Sequence, residues 1–76
     1  MQIIRESREN VDGLGQRIRD ARLASGRTVR ALAEDIPISY GFWYDLEKEQ
    51  TAVRIETLRK MEQVLGVTLY EEQDNG

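Results

Sequence analysis

The stretch from Thr28 to Glu47, TVRALAEDIPISYGFWYDLE, constrains this chain more than any other. It reads as two short helices joined by a tight turn. Thr28 is suited to cap the first and Ser39 the second, since a hydroxyl at that position accepts from an otherwise orphaned backbone N–H. Pro37 ends the first helix by disfavouring a helical conformation at Ile36. Leu32, Ala33 and Ile36 face inward from the first helix. In the second, Ser39 to Lys48, Trp43, Leu46 and Glu47 face back toward the body, Phe42 lies at the margin, and Tyr40, Gly41, Tyr44 and Asp45 face outward. Four of the five aromatic residues fall in this second helix.

Two further helices flank the pair. Leu14, Ile18 and Ala21 recur at helical spacing, which predicts a helix over Leu14 to Ser25 with Gly26 as its stop. Arg17 and Arg19 point off that face to solvent, while Arg22 borders the buried stripe, a poor place for an unpaired charge. Ile55, Leu58, Met61 and Leu65 predict a last helix over Ile55 to Leu65, closed by Gly66. Val67 and Leu69 continue its apolar surface. Residues 1–12 show no helical period; Ile3 and Ile4 beside Arg5 and Arg8 fit a short strand or an arm, and a flexible arm is expected. Residues 13–70 are then the folded domain and 71–76 a loose acidic tail. The expected fold class is all-α.

Seventy-six residues suffice for one small core. The absence of Cys and His excludes disulfides, thiolate and imidazole metal sites, and histidine-based acid–base catalysis. The carboxylates lie on helix exteriors and in the tail, so no catalytic residue, metal, cofactor or small-molecule ligand is expected. No apolar run approaches the roughly 20 residues of a membrane span, and the polar N-terminus is no signal peptide; an intracellular, cytoplasmic protein is expected. Net charge is −3, yet residues 16–30 hold five Arg against one Asp. A locally basic edge still attracts phosphate, because screening confines each charge to about 10 Å. Arg27 and Arg30 flank the N-terminus of the second helix, where free N–H groups and the positive dipole end favour an anion.

Taken in register, these segments resemble the phage-repressor (Cro/Xre-like) type of helix-turn-helix domain, over about Leu14 to Leu69. LGQRIRDARLASGRT resembles the first helix and the approach to the second, and ALAEDI, with its Leu32-Ala33 pair, the second. ISYGFWYDLE resembles the turn and recognition helix, closing on Glu47, and IETLRKMEQVLGVTL the fourth helix. The resemblance implies a small four-to-five-helix lambda-repressor-like bundle that binds double-stranded DNA, usually as a homodimer, with the third helix in the major groove. It implies backbone positioning by Arg17, Arg27, Thr28, Arg30, Gln50 and Thr51, with Val29 also at a phosphate-side position. Readout falls to the helix that opens at Ser39, through Tyr40, Gly41, Tyr44 and Asp45. It further implies a buried salt bridge between Arg22 and Glu47, and a core role for Trp43.

Departures from that pattern are as informative. Val29 stands where Gln is common, and Pro37 where the turn has Gly, so the turn must be built differently. Glu49 replaces the glycine after the recognition helix and must either accept a left-handed conformation, at about 1–2 kcal/mol, or let the helix run on. Arg54 stands where a capping Ser is usual. Before Lys48 the recognition helix has none of the Arg, Lys, Asn or Gln side chains that read base edges best. Gly41 costs about 1 kcal/mol relative to Ala inside a helix, which is attributed to packing room beside Trp43 rather than to close approach of a partner. An outward face rich in Tyr and poor in cations also suits a protein interface, so an interaction module using Tyr40, Phe42 and Tyr44 is the alternative function.

Overall fold

The computed structural model describes residues 1–72; the rest of the tail expected over 71–76 lies outside the described residues. Among the described residues four helices form the body: α1 (Leu14–Ser25), α2 (Val29–Asp35), α3 (Tyr40–Glu47) and α4 (Ile55–Leu65). Three short strands join them: β1 (Gln2–Ile4), β2 (Arg8–Asn10) and β3 (Val53–Arg54). The fold is therefore mostly helical, and the all-α expectation is corrected by a sheet of order β2-β1-β3.

That sheet changes the place of residues 1–12. β1 and β2 form an antiparallel hairpin, Ile3 opposite Glu9, and β1 runs parallel to β3, Ile3 beside Val53. Ile3 and Val53 are both wholly buried, and Met1 joins them in the core. Instead of an arm apart from the domain, the segment supplies core side chains and pairs its backbone with the start of α4. The cause is a pairing between distant parts of the chain: two β-branched residues side by side bury apolar area, and each strand satisfies N–H and C=O groups of its neighbour.

Chain reversals depend on left-handed residues. Gly26 (φ 69°) ends α1 and Gly66 (φ 71°) ends α4. Glu49 adopts φ 58°, so of the two outcomes open to it the left-handed one occurs, and α3 stops at Glu47 with Lys48 as its C-cap. Its carboxylate accepts a 2.6 Å hydrogen bond from the Met1 ammonium, tying the hairpin to the end of α3. The turn between α2 and α3 closes through Ile38 N–H donating to the Ala33 carbonyl at 2.8 Å; Ile36 keeps a helical backbone (φ −79°, ψ −44°), contrary to the expectation that Pro37 excludes one, and the Ile36–Pro37 peptide is cis.

Beyond α4 the chain folds back onto it. Glu62 accepts from the backbone N–H of Leu69 (2.7 Å) and Tyr70 (3.1 Å) and from Arg59 (2.7 Å). Burial alone would raise the Glu62 carboxyl; the hydrogen bonds from Arg59, Leu69 and Tyr70 outweigh it and hold the group below its ordinary value. Leu69 and Tyr70 thus cap the core, leaving Val67 as the exposed apolar residue of that segment.

Candidate nucleic-acid interface

α3 is positioned by what lies beneath it. Trp43 and Leu46 are fully buried. The Trp43 indole donates to Glu47 Oε2 at 2.5 Å, and Arg22 closes a forked pair on the same carboxylate, Nε at 2.6 Å and Nη2 at 2.9 Å. Desolvation pushes the Glu47 carboxyl up, but these bonds and the charges of Arg22 and Arg19 more than offset it, so the net displacement is downward. α1 and α3 approach closely because Gly15 has no side chain. A Cβ there would lie 2.7 Å from the Glu47 carbonyl oxygen and 2.8 Å from that of Leu46. At its start, α3 is capped by Ser39, whose Oγ accepts from Phe42 N–H at 3.1 Å.

With its inner side fixed, α3 leaves an uncovered outer face. Tyr40 is 55% exposed and Tyr44 43%, and Gly41 and Asp45 lie open beside them. Along one flank runs a groove of about 360 Å³ lined by Thr28, Val29, Arg30, Tyr40 and Tyr44. The Arg30 guanidinium stands 6.0 Å from the Tyr40 ring centroid, at the limit of a cation–π contact. Thr28 Oγ1 accepts from Ala31 N–H at 3.1 Å, so its hydroxyl proton is left for a ligand. Farther along the same edge, past Tyr44, a second concavity of about 470 Å³ is lined by Arg19, Arg22, Tyr44, Glu47 and Lys48.

Not every expected residue joins this face. Arg17 donates to the Leu69 carbonyl at 3.2 Å and lines a separate hollow with Tyr70 and Glu9. Arg27 is engaged by Asp35 at 2.5 Å and by the Val64 carbonyl at 3.3 Å, on the α2–α4 side. Val29 is a core residue, 6% exposed. Gln50 and Thr51 lie in the loop after α3, beside Gln2, Arg8 and Asn10 of the hairpin. Gly41 makes no room for Trp43: a Cβ there would meet only Ser39 Oγ, at 4.0 Å, so the packing explanation is corrected.

Two basic residues of the face, Arg19 and Lys48, were not singled out by sequence. A signal existed for Arg19. At about 100° per residue it lies roughly 60° around α1 from Arg22, whereas Arg17 lies about 140° away. Any residue pairing Arg22 with α3 therefore brings Arg19 along and turns Arg17 elsewhere.

Comparison with known families agrees with this geometry. A family model described as "Helix-turn-helix domain" matches residues 13–74, most of the chain. No curated protein and no solved structure matches. The match spans α1 to α4 and includes the α2–turn–α3 unit just described; this chain belongs to the helix-turn-helix domain family.

Proposed function

We propose that this chain is a sequence-specific DNA-binding transcriptional regulator that lays α3 in the major groove. One observation carries the reading: the outer face of α3 is bare, and the edge that carries Tyr40 and Tyr44 is bordered by guanidinium and ammonium groups, Arg30 toward the start of the helix and Arg19 and Lys48 toward its end. Such a border suits one phosphate ridge of the groove that α3 would enter. Thr28, Ser39, Gln50 and Thr51 add neutral donors to the backbone. Asp45 accepts from a cytosine amino group, and Tyr40 and Tyr44 pack on sugars or thymine methyls. Family membership supports the DNA partner. A homodimer on a two-fold site supplies the affinity that so short a reading helix lacks, and a cytoplasmic, nucleoid-associated location goes with it.

The test is anisotropy with a labelled random-sequence duplex across a salt series. Arg30→Ala is expected to weaken binding to every sequence and to lower the slope of log K against log salt by about 0.9, the share of one phosphate contact. Unchanged affinity and slope would remove Arg30 from the interface. The interaction-module alternative retains one specific support, the exposed Tyr40 and Tyr44 on a helix without cations before Lys48. It predicts that the wild-type chain leaves the duplex free even at about 50 mM salt, the regime in which phosphate contacts are strongest.

A further inference from the structure

The hairpin that replaces the expected arm carries a surface of its own. Side chains alternate across a sheet, so Ile3, Val53 and Glu9 share the inner face, Glu9 accepting from the Tyr70 hydroxyl at 2.6 Å. The pairing register then places Gln2, Arg8, Asn10 and Arg54 on the outer face, around a half-buried Ile4 that lies opposite Arg8 and beside Arg54. The four polar residues are exposed. Resting on the DNA-binding reading, we propose that this outer face is a second phosphate-contacting surface, which extends the footprint of α3 along the DNA backbone through Arg8 and Arg54.

Three observations lead there. First, the surface is continuous with the recognition region: Gln2, Arg8 and Asn10 line one concavity of about 390 Å³ with Gln50 and Thr51, the loop that leaves α3. Second, its cations are available. Among the described residues neither Arg8 nor Arg54 enters a salt bridge. Arg8 spends one donor on Gln2 Oε1, at 2.8 Å, and a guanidinium has five. The acid that lines that concavity, Glu49, is paired with the Met1 ammonium, while Glu56 stands exposed in the first turn of α4 after Arg54. Third, Arg54 occupies the N-cap of α4 and makes no side-chain cap bond. A cation is the wrong charge for that end of a helix, and Ser, Thr, Asp or Asn would stabilise it. A residue kept against local stability, exposed and unpaired beside the recognition loop, fits a ligand of opposite charge.

A nucleic-acid backbone fits better than a protein. The face offers two fork-shaped donors and two amides at strand spacing, with Ile4 as its one apolar side chain, and guanidinium groups match phosphate oxygens in pairs. The hairpin is also tied to the end of α3 by the Glu49–Met1 contact, so its position is fixed relative to the groove.

The experiment measures salt-dependent anisotropy of the full chain with a 30-base-pair random-sequence duplex, for wild type, Arg8→Ala, Arg54→Ser and their combination. Arg5→Ala is the charge-matched control, because Arg5 is paired with Glu72 at 2.5 Å. Each single change is expected to lower the slope of log K against log salt by about 0.9, and the pair by about twice that, with Arg5→Ala near wild type. Arg54→Ser is also expected to raise the melting midpoint, so lost binding cannot be lost folding. Variants that bind like wild type, or an Arg5→Ala effect as large as that of Arg8→Ala, would overturn the sheet surface and leave α3 as the reader. A wild-type chain that leaves the duplex free at low salt would overturn the DNA reading and this surface with it.

Discussion

Removing the charge of Glu47 while keeping its shape is the sharpest perturbation of the platform under α3. Glu47 accepts three hydrogen bonds, two from Arg22 and one from Trp43. Glu47→Gln retains one acceptor oxygen but presents an amide N–H₂ to a guanidinium that can only donate. The Arg22 side chain is 18% exposed and that of Glu47 6%, so one partner is left mostly buried without its counter-ion. Breaking such a pair costs about 3–5 kcal/mol, and partial access of water to Arg22 favours the low end, about 3. Small proteins hold roughly 0.05–0.15 kcal/mol per residue, which gives about 4–11 kcal/mol for this chain, so the loss is a large share of the total. Trp43 is the only tryptophan and is fully buried, so its fluorescence follows urea unfolding without a label. With a urea slope of about 1 kcal/mol per M, the midpoint should fall by about 3 M. The sign of the pH dependence is fixed by the lowered folded-state carboxyl. Its stabilisation is fully present above the ordinary value of 4.5 and is lost as pH falls through the lower folded value. The gap between wild type and Glu47→Gln should therefore narrow on acidification below 4.5. A loss under about 1 kcal/mol at neutral pH, or a gap that stays constant into acid, would refute the claim that this pair holds α1 to α3.

Two other substitutions separate close approach from open surface. Gly15→Ala would drive its Cβ into backbone carbonyls under 3 Å away, and a loss of about 1–3 kcal/mol in the same urea assay is expected. Gly41→Ala meets nothing closer than 4.0 Å and should gain about 0.5–1 kcal/mol, seen as a higher melting midpoint. Glu62→Ala should release the chain after Gly66 and cost about 1.5–3 kcal/mol for each charged hydrogen bond left unreplaced. Hydrogen exchange at the Leu69 and Tyr70 amides reads it, and unchanged protection there would contradict the anchoring role.

The parts legible in the sequence are those set by local chemistry. α1 and α4 run over the residues that their apolar spacing and glycine stops indicate, and α3 opens where the Ser39 hydroxyl caps it. What escaped depends on distant partners. β3 is two residues long and has no periodicity of its own, so the pairing of Ile3 with Val53 leaves no trace in either segment alone. Gly15 reads as an ordinary helical glycine until the C-terminal turn of α3 lies against it. Arg27 looks like a phosphate ligand beside Thr28, but Asp35, one helix length away, faces it once α2 forms. In each case the missing information is which surface the neighbouring element presents.

Gly41 and Arg54 join these threads. Each is a poor choice for its own helix: Gly41 gives up backbone order in α3 with no packing return, and Arg54 sets a cation at the start of α4 with no cap bond. Both are exposed, one on the recognition helix and the other on the sheet beside the recognition loop. Local rules are commonly broken at functional positions, where stability is exchanged for contact. If the exchange is real, Gly41→Ala and Arg54→Ser each make the free protein more stable and its DNA complex weaker. For Gly41 the weakening follows from a methyl group between the helix backbone and the groove. For Arg54 it follows from a lost phosphate contact, so Arg54→Ser flattens the salt dependence and Gly41→Ala leaves it unaltered. Greater stability without any change in binding would leave both residues as unexplained local defects and would take the functional meaning out of the surface they mark.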